Sequence, residues 1–193
     1  MYLTVFKMTR HSILESNDVL DIYSSNTMHR WLMGRQETSR KEGKVLYRIM
    51  ETANEIYIYI QSKDRFNRYG VEKRGLVFVK EFDLTTLIKE GIFDFDVQTF
   101  PNQARGDYRV FLKDATERAE WLINQFAQHG MKVFQLTEYK KTTIKFDKDV
   151  QRDISTVSFR GKVQITDVAK AEDVVFNGFG RLKNYGCGLI LLK

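Results

Sequence analysis

The chain has 193 residues, 42% of them hydrophobic and 13% aromatic, which is enough for a folded core and excludes a disordered composition. Its 31 Lys and Arg residues outnumber 25 Asp and Glu residues and give a net charge of +6, a balance that suits a polyanionic partner without requiring one. The single cysteine, Cys187, excludes an intrachain disulfide and indicates a reducing compartment, so we expect a cytoplasmic protein. No apolar run reaches the ~18 residues of a membrane span, and the early-charged N-terminus does not resemble a signal peptide, so we expect no membrane contact.

The N-terminal half predicts a strand, a helix and three further strands. The first strand covers Tyr2 to Met8, and the helix runs from about Asn26 to Gly34. Three residues at the helical spacing i, i+3, i+4 form its apolar stripe: Met28, Trp31 and Leu32. The later strands are Val45 to Met50, Glu55 to Gln61 and Leu76 to Phe82. This order matches a ferredoxin-like unit whose second helix is reduced.

Four polar or aromatic residues of these elements are candidates for the surface of the first domain. His29 and Arg30 lie beside the apolar stripe and should point sideways or outwards, where a histidine is most often a surface or half-buried residue. Tyr57 and Tyr59 alternate with isoleucines, which favours a packed or half-exposed face; a base-stacking platform is the alternative. His11, in a polar stretch, is expected to be a surface or capping residue.

The C-terminal half opens with a strand at Phe93 to Val97, a turn at Pro101-Asn102 and a strand at Tyr108 to Leu112. The spacing Asp114-x-x-Glu117 is a capping box, and it predicts a helix that ends near Gly130, with His129 as a surface or capping residue. The apolar positions of this helix are Ala119, Leu122, Ile123, Phe126 and Ala127.

Three more strands follow, at Met131 to Leu136, Tyr139 to Phe146 and Ile154 to Ile165. A last helix, capped by Asp167 and ended by Gly178, leads to a closing strand at Leu189 to Leu192. We therefore predict an α+β protein of two tandem ferredoxin-like (RRM-like) domains, residues 1–88 and 89–193, each an antiparallel sheet with helices on one face. Open sheets of this kind, with the basic balance, favour RNA over DNA as the partner.

A glycine-rich loop, Gly178 to Gly188, lies between the last helix and the last strand. It holds four glycines in eleven residues, together with Arg181 and Lys183. Backbone N–H groups and two cations suit an anion, most simply a phosphate. The alternative is a helix C-cap followed by a turn, with both cations merely solvated. Cys187, between glycines, is expected to be a small packed residue.

The most specific pattern in the chain is F-x-G, a helix, and then G-x-G-R-x-K-x-x-G-C-G-L, which runs from Phe159 to Leu189. Three shorter segments accompany it: Met1-Tyr2-Leu3-Thr4, Met28-His29-Arg30 and Glu120-Trp121-Leu122. In order and spacing, these segments resemble the CasE-type CRISPR repeat-RNA endoribonucleases of type I-E systems along essentially the whole chain.

That resemblance implies two tandem ferredoxin-like domains and cleavage of CRISPR precursor RNA at the base of the repeat stem-loop. It implies attack by a ribose 2′-OH without a metal or other cofactor, leaving a 2′,3′-cyclic phosphate and a 5′-OH. It also implies that the enzyme stays on the 3′ stem-loop of the crRNA as a subunit of the Cascade complex, beside the other Cascade subunits. We expect a monomer when the protein is isolated.

The resemblance also assigns residues. His29 is the implied catalytic histidine, and we expect the glycine-rich loop to lie near it. The implied RNA-binding residues are Arg30, Lys140, Lys141, Gly178, Gly180, Arg181, Lys183 and Gly186. For Lys140 and Lys141 an ordinary solvated strand edge is the alternative.

The chain departs from the resembled pattern at two places, and two other functions stay open. Asn26 stands where many members have a tyrosine three residues before the histidine, and the strand Phe93-Asp94-Phe95-Asp96 is acidic where members are usually basic. A non-catalytic subunit that holds the RNA stem-loop is the main alternative. A small-molecule phosphate binder built on the glycine-rich loop is the third.

Overall fold

The computed structural model describes residues 1–9, 22, 24–34, 45–144 and 154–193. The described residues form two compact units. One comprises those up to Leu87 together with Asn184–Gly186, and the other comprises those from Ile88 onwards without these three. No helix in the described ranges is long and apolar enough to cross a membrane.

In its described residues, the first unit is a four-stranded antiparallel sheet with one α-helix. Its elements are β1 (Tyr2–Thr9), α1 (Ser25–Met33), β2 (Leu46–Glu51), β3 (Glu55–Ser62) and β4 (Val77–Asp83). The strand order is β2-β3-β1-β4. Between β3 and β4 the chain makes only a short 3-10 turn, Glu72–Arg74, so the second helix of a ferredoxin-like unit is reduced, as predicted.

The core of this unit follows from period-two alternation in β3. Ile56, Ile58 and Ile60 are each 0% exposed, whereas the tyrosines between them are half-buried. The predicted stripe of α1 packs against these isoleucines through Met28 and Leu32, which are fully buried. Tyr57 and Tyr59 therefore lie on a half-exposed face, as expected, and their role there stays a prediction.

The second unit repeats the architecture with both helices present. Its elements are β5 (Gly91–Thr99), β6 (Asn102–Arg105), β7 (Tyr108–Phe111), α2 (Ala115–Gln128), β8 (Met131–Ile144), β9 (Ile154–Ile165), α3 (Val168–Asn177) and β10 (Ile190–Leu192). The main sheet has the order β10-β5-β9-β8, and β6 and β7 form a separate hairpin. When the four strands of each main sheet are numbered in chain order, both sheets have the order 4-1-3-2, and the predicted tandem ferredoxin-like α+β fold is confirmed.

One face of the second sheet is apolar and covered by both helices. Phe95 and Phe159 of the central strands share a buried core with Phe126 of α2 and Val174 of α3. The opposite face, which we call the polar face, carries Asp94, Asp96, Arg160 and Lys162, because these alternate with the buried residues of β5 and β9.

The strands predicted at 131–136 and 139–146 are one strand, β8, in the described chain up to Ile144. Two irregularities, at Val133/Gln135 and Glu138/Lys140, let the strand stay paired with β9 along its length. Gly161 pairs with Leu136 just beyond the first irregularity, and a Cβ atom there would sit 1.8 Å from the Gln135 carbonyl oxygen. The prediction of two separate strands here was therefore wrong.

Two further predictions for this unit need correction. The tight turn of the β6–β7 hairpin is at Gly106, with φ of 58°, whereas Asn102 already belongs to β6 and pairs with Phe111. In α2, Ile123 is 41% exposed and the buried stripe includes Arg118, which is 1% exposed. The stripe runs at i, i+4, i+8 through Arg118, Leu122 and Phe126.

Candidate functional site

His29 lies in the middle of α1. The helix begins because the Ser24 hydroxyl caps it by accepting from the Thr27 N–H at 3.2 Å. Met28 and Leu32 hold the helix on the core, so the next side chain along, His29, lies at the edge of the packed stripe and is half-buried. The helix thus presents the imidazole partly to solvent.

Arg30 follows His29 and is exposed in the last turn of α1. Its carbonyl accepts from the Gly34 N–H at 3.0 Å, which closes the helix. The side chain of Arg30 therefore projects outwards, as its position beside the stripe predicts. His11 lies outside the described residues.

The glycine-rich loop is anchored by Phe179. This side chain is 1% exposed and packs at 5.5 Å from the Trp121 ring and 5.1 Å from the Phe126 ring. Its N–H donates to the Gly188 carbonyl at 2.8 Å, which ties the two ends of the loop together. A Cβ at Gly188 would lie 2.4 Å from the Phe179 carbonyl oxygen, so this crossing requires glycine.

The two cations of the loop have different surroundings. The Lys183 ammonium donates to the Asn177 carbonyl at 2.9 Å, at the C-terminal end of α3. Arg181 is exposed, and in the described part of the chain it makes neither an ion pair nor a side-chain hydrogen bond. Lys183 therefore has a structural task in the loop, whereas Arg181 faces solvent.

The backbone at the start of the loop is shaped for close approach. Gly180 is exposed with φ of 68°, and Leu182 also has a positive φ, of 61°. Among the described residues, no backbone carbonyl accepts from the N–H groups of Gly180, Arg181 and Leu182. These donors and the Arg181 guanidinium together suit a phosphate.

The remaining candidate glycines serve the fold. Gly178 ends α3 and is buried, with φ of 78°. Gly186 is buried within the first unit, and a Cβ there would lie 3.2 Å from the Tyr47 ring. Cys187 is fully buried, as expected for a small packed residue.

Lys140 and Lys141 are both exposed on β8, but they do not share a face. Lys140 pairs with Ser158, which places it on the polar face, and Lys141 pairs with Val157, a core residue of the opposite face. The two ammonium groups therefore cannot form one patch. The sequence already indicated this, because adjacent residues of a strand point to opposite faces of the sheet.

Two carboxylates of the polar face, which the sequence analysis did not assign to partners, pair with groups on neighbouring strands. The Asp94 carboxylate lies 2.8 Å from the Lys162 ammonium. The Tyr139 hydroxyl donates to the Asp96 carboxylate, 3.0 Å from each oxygen. The Arg160 guanidinium lies 5.2 Å from the centre of the Tyr139 ring.

A buried ion pair was also missed. Both Arg118 nitrogens Nε and Nη2 donate to the Glu138 carboxylate at 2.7 Å, and Nη1 donates to the Leu112 and Lys113 carbonyls. The pair joins α2 to β8 and to the connection that follows β7. An arginine at the helical spacing of Leu122 and Phe126 was the available signal.

In the first unit, Lys7, Glu55 and Tyr57 form a polar cluster on the face away from α1. The Lys7 ammonium lies 2.8 Å from the Glu55 carboxylate, which also accepts from the Tyr57 hydroxyl. The hydrogen bond from Lys7 lowers the pKa of Glu55, and the same carboxylate raises the pKa of Lys7 and of Tyr57. The Tyr57 hydroxyl is therefore used in a hydrogen bond within the first unit.

Within each unit the candidates thus separate into two sets. Groups that face solvent are Arg30, Arg181, Lys140 and Lys141, with His29 half-exposed. Groups that hold the fold are Gly178, Gly186 and Lys183. The described ranges contain no group of three His, Cys, Asp or Glu side chains placed to hold a metal ion. The expected closeness of His29 and the loop stays a prediction.

Comparison with known proteins gives matches over the full length. A family model described as CRISPR associated protein matches residues 1–193. The structure resembles Cse3 of Thermus thermophilus bound to an RNA that represents a pre-cleavage complex, with 16% identity, a TM-score of 0.85 and 100% of each chain covered. It also resembles Cas6e of Escherichia coli K-12, with 18% identity, a TM-score of 0.72 and coverage of 100% and 98%.

A third similar structure is a chain of a CRISPR RNA-guided surveillance complex, with 25% identity, a TM-score of 0.67 and coverage of 100% and 99%. Comparison with curated protein sequences gives no match. The likeness to Cse3 and Cas6e shows that the fold is theirs.

Proposed function

Because this chain belongs to the family of CRISPR-associated proteins, we propose that it is an endoribonuclease that processes CRISPR precursor RNA. The observation that carries the proposal is the end-to-end likeness to Cse3 held in a pre-cleavage complex with RNA, at a TM-score of 0.85. The half-exposed histidine on α1 and the solvent-facing arginine of the glycine-rich loop supply the chemical groups that such an activity needs.

The proposed reaction is attack of a ribose 2′-OH on the adjacent phosphate at the base of the repeat stem-loop, without a metal. The attacking oxygen loses a proton, the 5′-oxygen gains one, and the products are a 2′,3′-cyclic phosphate and a 5′-OH. His29 takes one of these proton steps, because an imidazole ordinarily titrates near neutral pH. The half-buried position on α1 lets the ring reach the RNA while the helix limits its motion.

The negative charge that develops on the phosphate needs fixed donors nearby. Arg181 and the backbone N–H groups of Gly180 and Leu182 are the donors that the loop offers. Arg30, Lys140 and Lys141 bind phosphates of the stem-loop and position it. Gly178, Gly186 and Lys183 keep the loop in shape and belong to the RNA-binding site through that task.

We further infer that the two units act as domains 1–88 and 89–193 on one RNA. After cleavage the protein stays on the 3′ stem-loop of the crRNA as a Cascade subunit in the cytoplasm. The similar chain within an RNA-guided surveillance complex supports this assignment. The isolated protein is a monomer.

The decisive experiment incubates the protein with a repeat RNA from its own CRISPR array in EDTA. We expect the parent to cleave, and His29→Ala to bind the RNA and leave it intact. A repeat with a 2′-deoxy nucleotide at the cleavage site should stay uncut. Absence of cleavage by the parent contradicts the enzyme proposal, and cleavage of the deoxy substrate contradicts the cyclising reaction.

A non-catalytic subunit that holds the stem-loop is the second candidate. Asn26 favours it, because members of the resembled family often carry a tyrosine there that assists cleavage. Tight binding of the repeat without cleavage by the parent, at any pH near neutrality, is the result that selects this candidate. If an Asn26→Tyr variant then gains cleavage, the missing tyrosine at position 26 explains why the parent does not cleave.

A further inference from the structure

The polar face of the second sheet holds two opposite-charge pairs on its central strands. Asp94 on β5 stands directly opposite Lys162 on β9, and Asp96 stands directly opposite Arg160. The Lys162 ammonium and the Asp94 carboxylate are 2.8 Å apart, with side chains 46% and 61% exposed. These charges therefore meet at the protein surface, where a ligand can reach them.

The second pair is joined through Tyr139 of β8. Its hydroxyl donates to the Asp96 carboxylate at 3.0 Å, and the Arg160 guanidinium lies 5.2 Å from its ring centre. Asp96 and Tyr139 thus give Arg160 a fixed environment built from three strands. Arg160 itself is exposed.

The four charges sum to zero over the middle of the face, although the whole chain carries +6. Without the carboxylates, Lys162 and Arg160 would stand two residues apart on one strand as a cationic pair. RNA phosphates bind such cations by releasing counterions, and a fixed carboxylate beside each cation opposes that exchange and repels the phosphate.

We propose that Asp94 and Asp96 are specificity-determining residues that keep RNA phosphates off the middle of the polar face. The proposal rests on the proposed function, since it concerns how an RNA-processing protein limits its grip on other RNA. Asp94 holds Lys162 in an ion pair, and Asp96 places a negative charge directly across the strands from Arg160, so RNA without the correct shape gains no contact there. Binding then depends on the cations outside these pairs.

The test replaces both carboxylates by amides, which keep an oxygen that accepts from Lys162 and Tyr139. Binding of a fluorescein-labelled stem-loop RNA of arbitrary sequence is measured by anisotropy for the parent and for Asp94→Asn/Asp96→Asn. At about 50 mM salt we expect a two- to five-fold tighter Kd for each substitution. The slope of log K against log salt should steepen by about 0.9 for each phosphate gained.

The matched control carries the same change in net charge elsewhere. Glu120→Gln/Asp173→Asn removes two exposed carboxylates from α2 and α3, the helices that cover the opposite face. We expect no steeper salt dependence for this control. An equal gain in the control overturns the proposal, because overall charge then explains the effect.

A second cycle tests the partner directly. Asp94→Asn alone should tighten binding of the arbitrary stem-loop, because it frees the Lys162 ammonium. Lys162→Ala alone should not tighten it, because it leaves the Asp94 carboxylate unpaired. Asp94→Asn/Lys162→Ala should return to the parent value. Unchanged affinity and slope in Asp94→Asn and in the double amide variant overturn the proposal. The fold of each variant is checked by its circular dichroism spectrum. If Asp94→Asn/Asp96→Asn does not fold, the single variant Asp94→Asn, which changes only the exposed ion pair, decides the test.

These outcomes are separate from those of the proposed function. A parent that cleaves its repeat while the amide variants gain no affinity leaves the function standing and removes this inference. If the parent cleaves nothing while the amide variants gain affinity, the proposed function is contradicted and the proposed role of Asp94 and Asp96 is supported.

Discussion

Arg181 and Lys183 are two residues apart in the glycine-rich loop, and their chemistry is alike, yet their surroundings divide their tasks. The Lys183 ammonium donates to the carbonyl oxygen of Asn177, the last residue of α3, at 2.9 Å. A cation at that end also meets the negative end of the helix dipole. Arg181 is exposed, so its guanidinium is available to a ligand.

We therefore expect Arg181→Ala to weaken RNA binding and to lower the salt slope by about one, with unfolding unchanged. Lys183→Met should lower the free energy of unfolding by about 0.5–1 kcal/mol, because it removes the cation at the end of α3. Anisotropy at two salt concentrations and urea unfolding measure the two effects. A stability loss in Arg181→Ala, or none in Lys183→Met, contradicts this division.

At the scale of elements, α2 and α3 begin in the same way. The Asp114 carboxylate accepts from the N–H groups of Thr116 and Glu117, and the Asp167 carboxylate accepts from that of Lys170. The hydrogen bond from Glu117 is the main cause that lowers the pKa of Asp114, and the one from Lys170 lowers the pKa of Asp167.

A lowered pKa in the folded state means that these caps stabilise the protein above the unfolded value of about 3.9 and stop doing so as the pH falls through the folded value. We expect urea unfolding to show stability decreasing with acid from about pH 5 downwards. Asp114→Asn/Asp167→Asn keeps a capping oxygen at each helix but cannot titrate there. Its free energy of unfolding should therefore decrease less steeply below about pH 5, the acid limb of the stability curve. The limb should not vanish, because Glu55 and Asp83 also have a lowered pKa. An unchanged acid limb in this variant contradicts the assignment to the caps.

At the scale of the whole molecule, the chain repeats one strand order in two units and carries a net charge of +6. His29 belongs to the first unit, and Arg181 belongs to the second. The proposed function requires that both act on one RNA, so the cleavage-site nucleotide should contact residues of each unit.

A repeat RNA with 4-thiouridine beside a 2′-deoxy cleavage site tests this directly. After irradiation and digestion we expect crosslinked peptides that contain His29 and crosslinked peptides from the loop 178–188. The control places 4-thiouridine at the tip of the stem-loop, where neither peptide should be labelled. Labelling of only one of the two peptides from the cleavage-site probe is the result that breaks the proposed shared site.

Much of the fold followed from local patterns. The isoleucines of β3 at period two, the stripe Met28-Leu32 and the cap Asp114 each depend on residues within a few positions, and each element formed as predicted. The position of His29 beside its stripe also followed, because helical geometry alone places it at the edge. The glycine-rich loop that contains Gly188 was recognised in the sequence. The reason why position 188 must be glycine, the close approach of the Phe179 backbone, was not.

What the sequence by itself determined are the elements, their caps, the tandem order and the candidate histidine, since chain neighbours set these features. Tertiary structure alone decided the pairing of Asp94 with Lys162 and of Arg118 with Glu138. Those partners come together through strand register and helix packing, so the same charged residue can hold the fold or face a ligand. The physical reason is that a side chain's electrostatic partner is fixed by distances across the sheet, which local spacing does not contain.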